Sequence, residues 1–350
     1  MISSDIRIER GGILLEPDQN NPHEAEGILN PAVAGNYLLY RAVGEGNYSR
    51  IMAATLHSQA SEHGVEIRAT KLYQVVLEPE QPYELAPTGR GGIEDPRVTE
   101  LPDGSFVMFY TAYGRAEGFK KQTPVVAVAT SRDGLTWERH GRMVYDLYNH
   151  QEGQVVDFNT IPNKDTVLFS EKINGRYALL HRPMFIHTQA AQLSVPWRGI
   201  WYADSESLTG PWGNHRLLLQ PEYEWENGGV GAGAPPIHLR DMWVHIYHGF
   251  TKRRRDRRGQ RYNAGVFTTP HDDPLTIAFR SDHTILEPQL LPEQIGTVPH
   301  VVFPTAVWQE DEQKNTLAIF WGAADTRIMW GVLYLPSDVL AAEADGRHTV

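Results

Sequence analysis

The chain has 350 residues, 41% hydrophobic and 21% charged, which is enough to bury a sizeable core as one large or two ordinary domains. A net charge of −11 excludes general attraction to nucleic acid or an anionic membrane, and the absence of cysteine excludes disulfides, thiolate metal sites and a cysteine nucleophile. No stretch approaches membrane-spanning length and residues 1–10 carry no apolar signal run, so a cytoplasmic protein is expected.

Taken in order, the chain gives almost no helical periodicity. Short apolar runs recur instead, bounded by Gly, Pro, Asn and Asp, as in an all-β protein. Five units each begin with a strand, at residues 37–43, 106–113, 177–183, 243–249 and 317–323, and each continues with a second, at 51–56, 125–129, 199–203, 262–267 and 328–334. Turns and outer strands follow some of these, around 131–137 and 204–212. A period of roughly 60–70 residues predicts a five-bladed β-propeller in a single domain spanning 1–350, with an N-terminal segment at 1–29 and a tail at 337–350. The rival is a β-sandwich or a pair of stacked sheets. In the tail, Ser337 reads as the N-cap of a short C-terminal helix.

Loops and innermost strands of a propeller converge on one channel, so polar residues at those positions are candidates for a site. They are Asn30 and Arg41; Glu94, Asp95 and Arg97; Lys164, Asp165, His181 and Arg182; Glu226, His238, Tyr247 and His248; and Asp325. Each alone could be a structural ion pair, because buried charge must be compensated. The stretch Gly-Gly-Ile-Glu-Asp-Pro-Arg at 91–97 is the most telling. Pro96 biases Asp95 towards an extended backbone, and burial would raise the Asp95 pKa, as a general acid requires. Lys164, His181 and Arg182, on the two strands of a hairpin turned at Asn174-Gly175, suit an anion such as phosphate. The Gly-rich run at 228–237 has no helix after it and is not a dinucleotide fingerprint; it reads as a loop bringing backbone close to a ligand. The basic run at 252–258 reads as a solvated hairpin tip. No histidine pair has metal-ligand spacing on a predicted helix, so no metal is expected.

These motifs occur in an order that closely resembles glycoside hydrolase family 130, the β-mannoside phosphorylases and related β-mannosidases. The segments are 91–99, Lys164-Asp165, 175–183, 231–237, Tyr247-His248-Gly249, Phe303-Pro304 and 322–326. The resemblance implies a five-bladed propeller and inverting attack by phosphate on a β-mannosidic bond, giving α-mannose 1-phosphate. It implies that Asp95 is the acid, acting through a sugar hydroxyl, and that Arg41, Lys164, His181 and Arg182 hold phosphate. Asp325, Phe303 and Tyr247 would hold the mannosyl unit, with Asn30 and His248 also facing substrate, while Glu94 and Arg97 orient Asp95. No cofactor is implied beyond phosphate as co-substrate, and the partners are a small carbohydrate and phosphate, with a homo-oligomer left open. Ser170, Asp241-Met242 and Phe320-Trp321 depart from the family pattern, and their expected place is near the substrate subsites. An inverting hydrolase, with Glu226 or Glu171 activating water, is the alternative; a non-catalytic sugar-binding propeller is the third. Linkage and acceptor stay open.

Overall fold

A computed structural model describes residues 6–61, 64–86, 89–150, 153–252, 260–309 and 316–340. Strand β1 (Arg7–Leu15) comes first in the chain, and its partner comes last. Five antiparallel meanders follow among the described residues. The first is β2 (Gly27–Ala34), β3 (Tyr37–Gly44), β4 (Tyr48–Ser61) and β5 (Gly64–Leu77). The second is β6 (Gly91–Glu100), β7 (Phe106–Gly114), β8 (Thr123–Ser131) and β9 (Glu138–Arg142). After a small hairpin, β10 (Tyr148–Asn149) and β11 (Val155–Val156), comes the third: β12 (Asn163–Leu168), β13 (Tyr177–Pro183), β14 (Ile200–Ser205) and β15 (Gly213–Leu219).

The fourth meander is β16 (Gly229–Ala232), β17 (Ile237–Leu239), β18 (Met242–Phe250), β19 (Tyr262–Pro270) and β20 (Phe279–Arg280), with β16 and β17 both paired to β18. The fifth is β21 (Val302–Trp308), β22 (Thr316–Ala323) and β23 (Arg327–Tyr334), completed by β1 along β23. The first two meanders share a sheet through a parallel contact, Ser49↔Gly92. A Cβ on Gly92, at φ +107°, would come within 2.2 Å of the Ser49 carbonyl, so this junction requires glycine.

Why these segments are strands follows from which neighbours bury them. Successive side chains of a strand point to opposite faces, and here both faces of the central strands are covered. Thus Leu39 packs with Ile93, Met108 and Tyr110 of the second meander, while Leu38 and Tyr40 pack with Phe320 and Trp330 of the fifth. Val107 and Phe109 meet Leu179 and Trp201 of the third, and Leu180 meets Trp243 and Phe267 of the fourth. Val244 and Ile246 then meet Ile319 and Trp321. Each hydrophobic cluster lies between two successive meanders, and the series returns to its start. Membership in a cluster thus alternates along each strand with period two.

The five strand pairs expected from the sequence are β3–β4, β7–β8, β13–β14, β18–β19 and β22–β23, and all five pair antiparallel. They are the middle of each meander rather than its start. A preceding strand (β2, β6, β12, β16, β21) lies inside each, and residues 91–99 belong to β6. The expected helix at the C-terminal end is not seen in its described part: residues 337–340 form turns, and the remainder of the tail lies outside the described residues. Two short helices appear elsewhere, α1 (His187–Leu193) and α2 (Leu291–Gln294). Residues 253–259 of the basic run also lie outside the described residues. No helix of the described residues is long and apolar enough to cross a membrane.

Candidate active site

Three of the inner strands break their register in the same way. The ladder slips between Leu29 and Ala32 in β2, between Glu94 and Arg97 in β6, and between Lys164 and Val167 in β12. Each slip holds one polar residue in the left-handed region: Asn30 at φ +48°, Asp95 at +51° and Asp165 at +56°. A bulge adds a residue, bends the strand and re-aims a side chain, and Asn and Asp tolerate positive φ best of the non-glycine residues. Asp95 is therefore fixed by the bulge and not, as the following proline suggested, by an extended backbone. The three bulges turn their polar residues towards one another.

Around Asp95 the partners are specific. Asn30 Nδ2 donates to Asp95 Oδ1 at 2.7 Å, and Arg41 Nη1 donates to the same oxygen at 3.1 Å. Arg41 also donates through Nη2 to Glu94 Oε1 at 2.8 Å and through Nε to Ser49 Oγ at 2.9 Å. Lys164 Nζ lies 3.7 Å from Asp95 Oδ2. Burial pushes the Asp95 carboxyl up, but Arg41, Lys164 and the Asn30 amide outweigh it and hold the group well below the usual carboxylate range. The raised pKa expected from burial alone is thus overturned. Asp325, at the turn between β22 and β23, behaves oppositely: burial pushes it up to about 6 despite the pull of Arg41, with Asp95 adding repulsion.

A second group abuts the first. Asp165 pairs with Arg182 Nε at 2.6 Å and with Arg97 Nη2 at 3.7 Å, and lies 3.6 Å from His248 Nε2. Burial holds His248 down to about 3, so the ring is neutral. Arg97 also donates to the Gly233 carbonyl, and its guanidinium lies 5.3 Å from the Phe303 ring centre, while that ring packs 4.4 Å from His248. Glu94 therefore braces Arg41, and Arg97 braces Asp165; neither hydrogen-bonds Asp95 itself. The glycines at 228–233 serve close approach to protein rather than to a ligand alone, since a Cβ on Gly231 would meet Asp165 and His248 at 2.6 Å.

Lys164 and Arg182 face each other directly across β12 and β13. They line a cavity of about 510 Å³ together with Trp197, Arg198 and Tyr262. Burial and the neighbouring charge of Arg182 push Arg198 down to about 10. Arg198 and Tyr262 went unnoticed in the sequence, although both stand at the start of a recognised second strand, the position given to candidates only in the first strand of each unit.

Two candidates are elsewhere. His181 faces away from Arg182 because neighbours on a strand alternate: its Nδ1 is 2.8 Å from Asn163 Nδ2, its Nε2 is 3.3 Å from His215, and it stacks on Tyr145. Tyr247 alternates in the same way with His248; it is fully buried, with its hydroxyl against Glu226 and Arg280. Neither touches the Asp95 group. The two alternative bases are also remote from Asp95's partners, Glu226 being bound to Arg280 at 2.6 Å and Glu171 to His238 at 3.0 Å. Of the departures from the family pattern, Phe320, Trp321 and Met242 are buried core, and Ser170 lines a different cavity.

A buried carboxylate ringed by cations beside a cationic cavity gives the site a candidate acid and a place for an anion. The family model for glycoside hydrolase family 130, described as beta-1,4-mannooligosaccharide phosphorylase, matches residues 5–340, and the chain belongs to that family. A 1,2-beta-oligomannan phosphorylase of Thermoanaerobacter sp. strain X514 is 30% identical over 91% of this chain and 94% of its own. A beta-1,2-mannobiose phosphorylase of the same organism is 31% identical over 90% and 92%. The fold is shared with the beta-1,2-mannobiose phosphorylase of Listeria innocua in its complex with beta-1,2-mannobiose, at a TM-score of 0.67 and 24% identity over 96% of this chain and 98% of that one.

Proposed function

We propose that this chain is a five-bladed β-propeller, one meander per blade, that phosphorolyses a β-mannosidic bond with inversion to give α-mannose 1-phosphate. The cyclic packing of the five meanders supports the propeller, since two stacked sheets would share one core instead of a series that returns to its start. The observation that carries the chemistry is the cavity lined by the cations Lys164, Arg182, Arg198 and Lys252. An inverting hydrolase needs a second carboxylate to activate water, whereas a phosphorylase needs cations to aim a dianion. Glu94 and Asp165 are each tied to a guanidinium, which leaves neither free as a base.

In this reading phosphate rests on Lys164, Arg182 and Arg198, with Arg41 on the Asp95 side. A phosphate oxygen forms the new bond to C1 as the C1–O bond to the acceptor sugar breaks. The departing oxygen takes a proton that originates at Asp95, relayed through a sugar hydroxyl, and Asp95 is left as the carboxylate. An arriving dianion competes for Arg41 and Lys164, the charges that hold Asp95 ionised, so phosphate binding favours the protonated acid. Phe303, His248 and Asp325 form the wall for the mannosyl unit. No cofactor is required, and a cysteine-free chain suits a reducing cytoplasm.

The test is incubation with β-1,2- and β-1,4-mannobiose, with and without phosphate, measuring mannose 1-phosphate and free mannose. The β-1,2 substrate is offered first because the two Thermoanaerobacter relatives bear β-1,2 names. Mannose 1-phosphate formed only with phosphate supports the proposal. Free mannose, made equally well without phosphate, overturns it.

A further inference from the structure

The inner strands have two ends, and a second cluster stands away from Asp95. The register of β6 and β12 puts Glu94-Asp95 and Lys164-Asp165 early in those strands, while Val98, Thr99 and Glu100 late in β6, and Ser170 and Glu171 just after β12, line another cavity of about 590 Å³ with His238. Beside Glu171 and His238 lies His271, which directly follows β19.

One donor atom from each of these three residues lies within 4.8 Å of the other two. Glu171 presents one oxygen to each ring: Oε1 is 3.0 Å from His238 Nδ1, and Oε2 is 3.7 Å from His271 Nε2. The two imidazoles stack with centroids 4.0 Å apart and Trp243 packed against both. The His271 backbone is pinned at both polar groups, its N–H donating to the Asp241 carbonyl at 2.9 Å and its carbonyl accepting from Trp243 Nε1 at 3.1 Å. Its Nε2 is shielded from solvent, yet has no hydrogen-bond partner. A buried nitrogen without a partner costs free energy, and it points at the carboxylate of the group.

We propose that Glu171, His238 and His271 form a divalent-metal site, with zinc the best fit to two imidazole nitrogens and one carboxylate. Four-coordinate zinc holds such donors at about 2.0–2.2 Å, which sets neighbouring donors roughly 3.4 Å apart. Each imidazole already has a carboxylate oxygen near that separation, Oε1 at 3.0 Å and Oε2 at 3.7 Å, and rotation of these half-exposed side chains brings both rings to one of the two oxygens. Water completes the fourth position. On binding, any proton shared between Glu171 and a histidine is released, and His271 Nε2 gains a partner. The ion ties the exit of β12 in the third meander to β17 and β19 in the fourth, clamping two sheets whose Asp165 and His248 meet in the candidate active site. The three residues come from separate parts of the chain, which is why helical spacing gave no sign of them.

The test uses the untagged, chelator-treated full chain. Zinc is titrated by calorimetry, bound metal is counted by mass spectrometry, and cobalt is substituted to read visible absorption. The expected result is one zinc per chain, the intense visible bands of four-coordinate cobalt, and a melting temperature that rises with zinc. His238→Asn, His271→Asn and Glu171→Gln, at half-exposed positions, should each weaken zinc by roughly tenfold or more. The site is overturned if the wild-type chain takes up no zinc, or if the three variants bind it as tightly as wild type.

Discussion

Asn30 and Asp95 occupy equivalent bulges in successive meanders, at φ +48° and +51°, each followed by proline, and the Asn30 amide donates to the Asp95 carboxylate at 2.7 Å. One fold element, repeated, thus supplies both the candidate acid and the group that orients it.

Asn30 demonstrates that asparagine suits this bulge. Asp95→Asn should therefore keep the fold, with a melting temperature close to wild type, while losing the transferable proton. Turnover of mannobiose with phosphate should fall about 10²–10⁴-fold, the usual worth of a general acid. Retained turnover would remove Asp95 from the chemistry.

Arg182 and His181 are neighbours with opposite fates. Arg182→Lys keeps a charge but loses the fork that meets Asp165, so the KM for phosphate should rise with little change in stability. His181→Ala leaves a cavity among Tyr145, Phe158 and His215; it should cost about 2–4 kcal/mol of stability and leave the phosphate KM of the folded enzyme unchanged. Phosphate saturation curves and urea unfolding separate the two.

Asp325 should reveal its environment through pH. Its folded pKa of about 6 lies above the unfolded value of 3.8, so the folded state holds the proton more tightly. The stability this provides is complete below the unfolded pKa and is lost as pH rises through about 6. Asp325→Asn should consequently stabilise the protein by on the order of 2 kcal/mol at about pH 8, and by little at about pH 3.5. Urea unfolding at the two pH values checks the difference; an equal effect at both would refute it.

Glu226 was a candidate base, and its partners give it a different role. It is buried against Arg280 and the Tyr247 hydroxyl. Glu226→Ala removes one of two carboxylates from an almost wholly buried guanidinium, which keeps Glu222 and the Gln220 carbonyl, at an expected cost of about 1–3 kcal/mol. The folded fraction should still make mannose 1-phosphate only when phosphate is present, as activity per folded molecule will show.

Much of this arrangement was legible in the sequence. Apolar runs between turn residues located the middle strands, because strands buried on both faces are continuously hydrophobic. The hairpin that sets Lys164 opposite Arg182 could be read from its Asn-Gly turn. The innermost strands were harder, since bulges, glycines and charges interrupt the pattern that identifies a strand. The facing of His181 and Tyr247 was out of reach for a related reason. Adjacent strand residues differ only in which side they take, and that depends on register with a partner strand. Asp95 misled for a third reason: burial could be inferred from local sequence, but not Arg41 or Lys164, which arrive from other meanders and reverse its effect.

The pairing of β1 with β23 makes the last sheet a joint between the two extremes of the fold, Arg7 opposite Tyr334 and Leu15 opposite Ile328. During synthesis the first strand must wait, unpaired, while four meanders form behind it, and only then can its register be set. Closing so long a loop costs little more free energy than closing one half its length, but such distant contacts form slowly. The β1–β23 pairing is therefore a clasp fastened last: a fault in β1 should spare the early meanders and leave the edge of β23 open to a strand from another molecule.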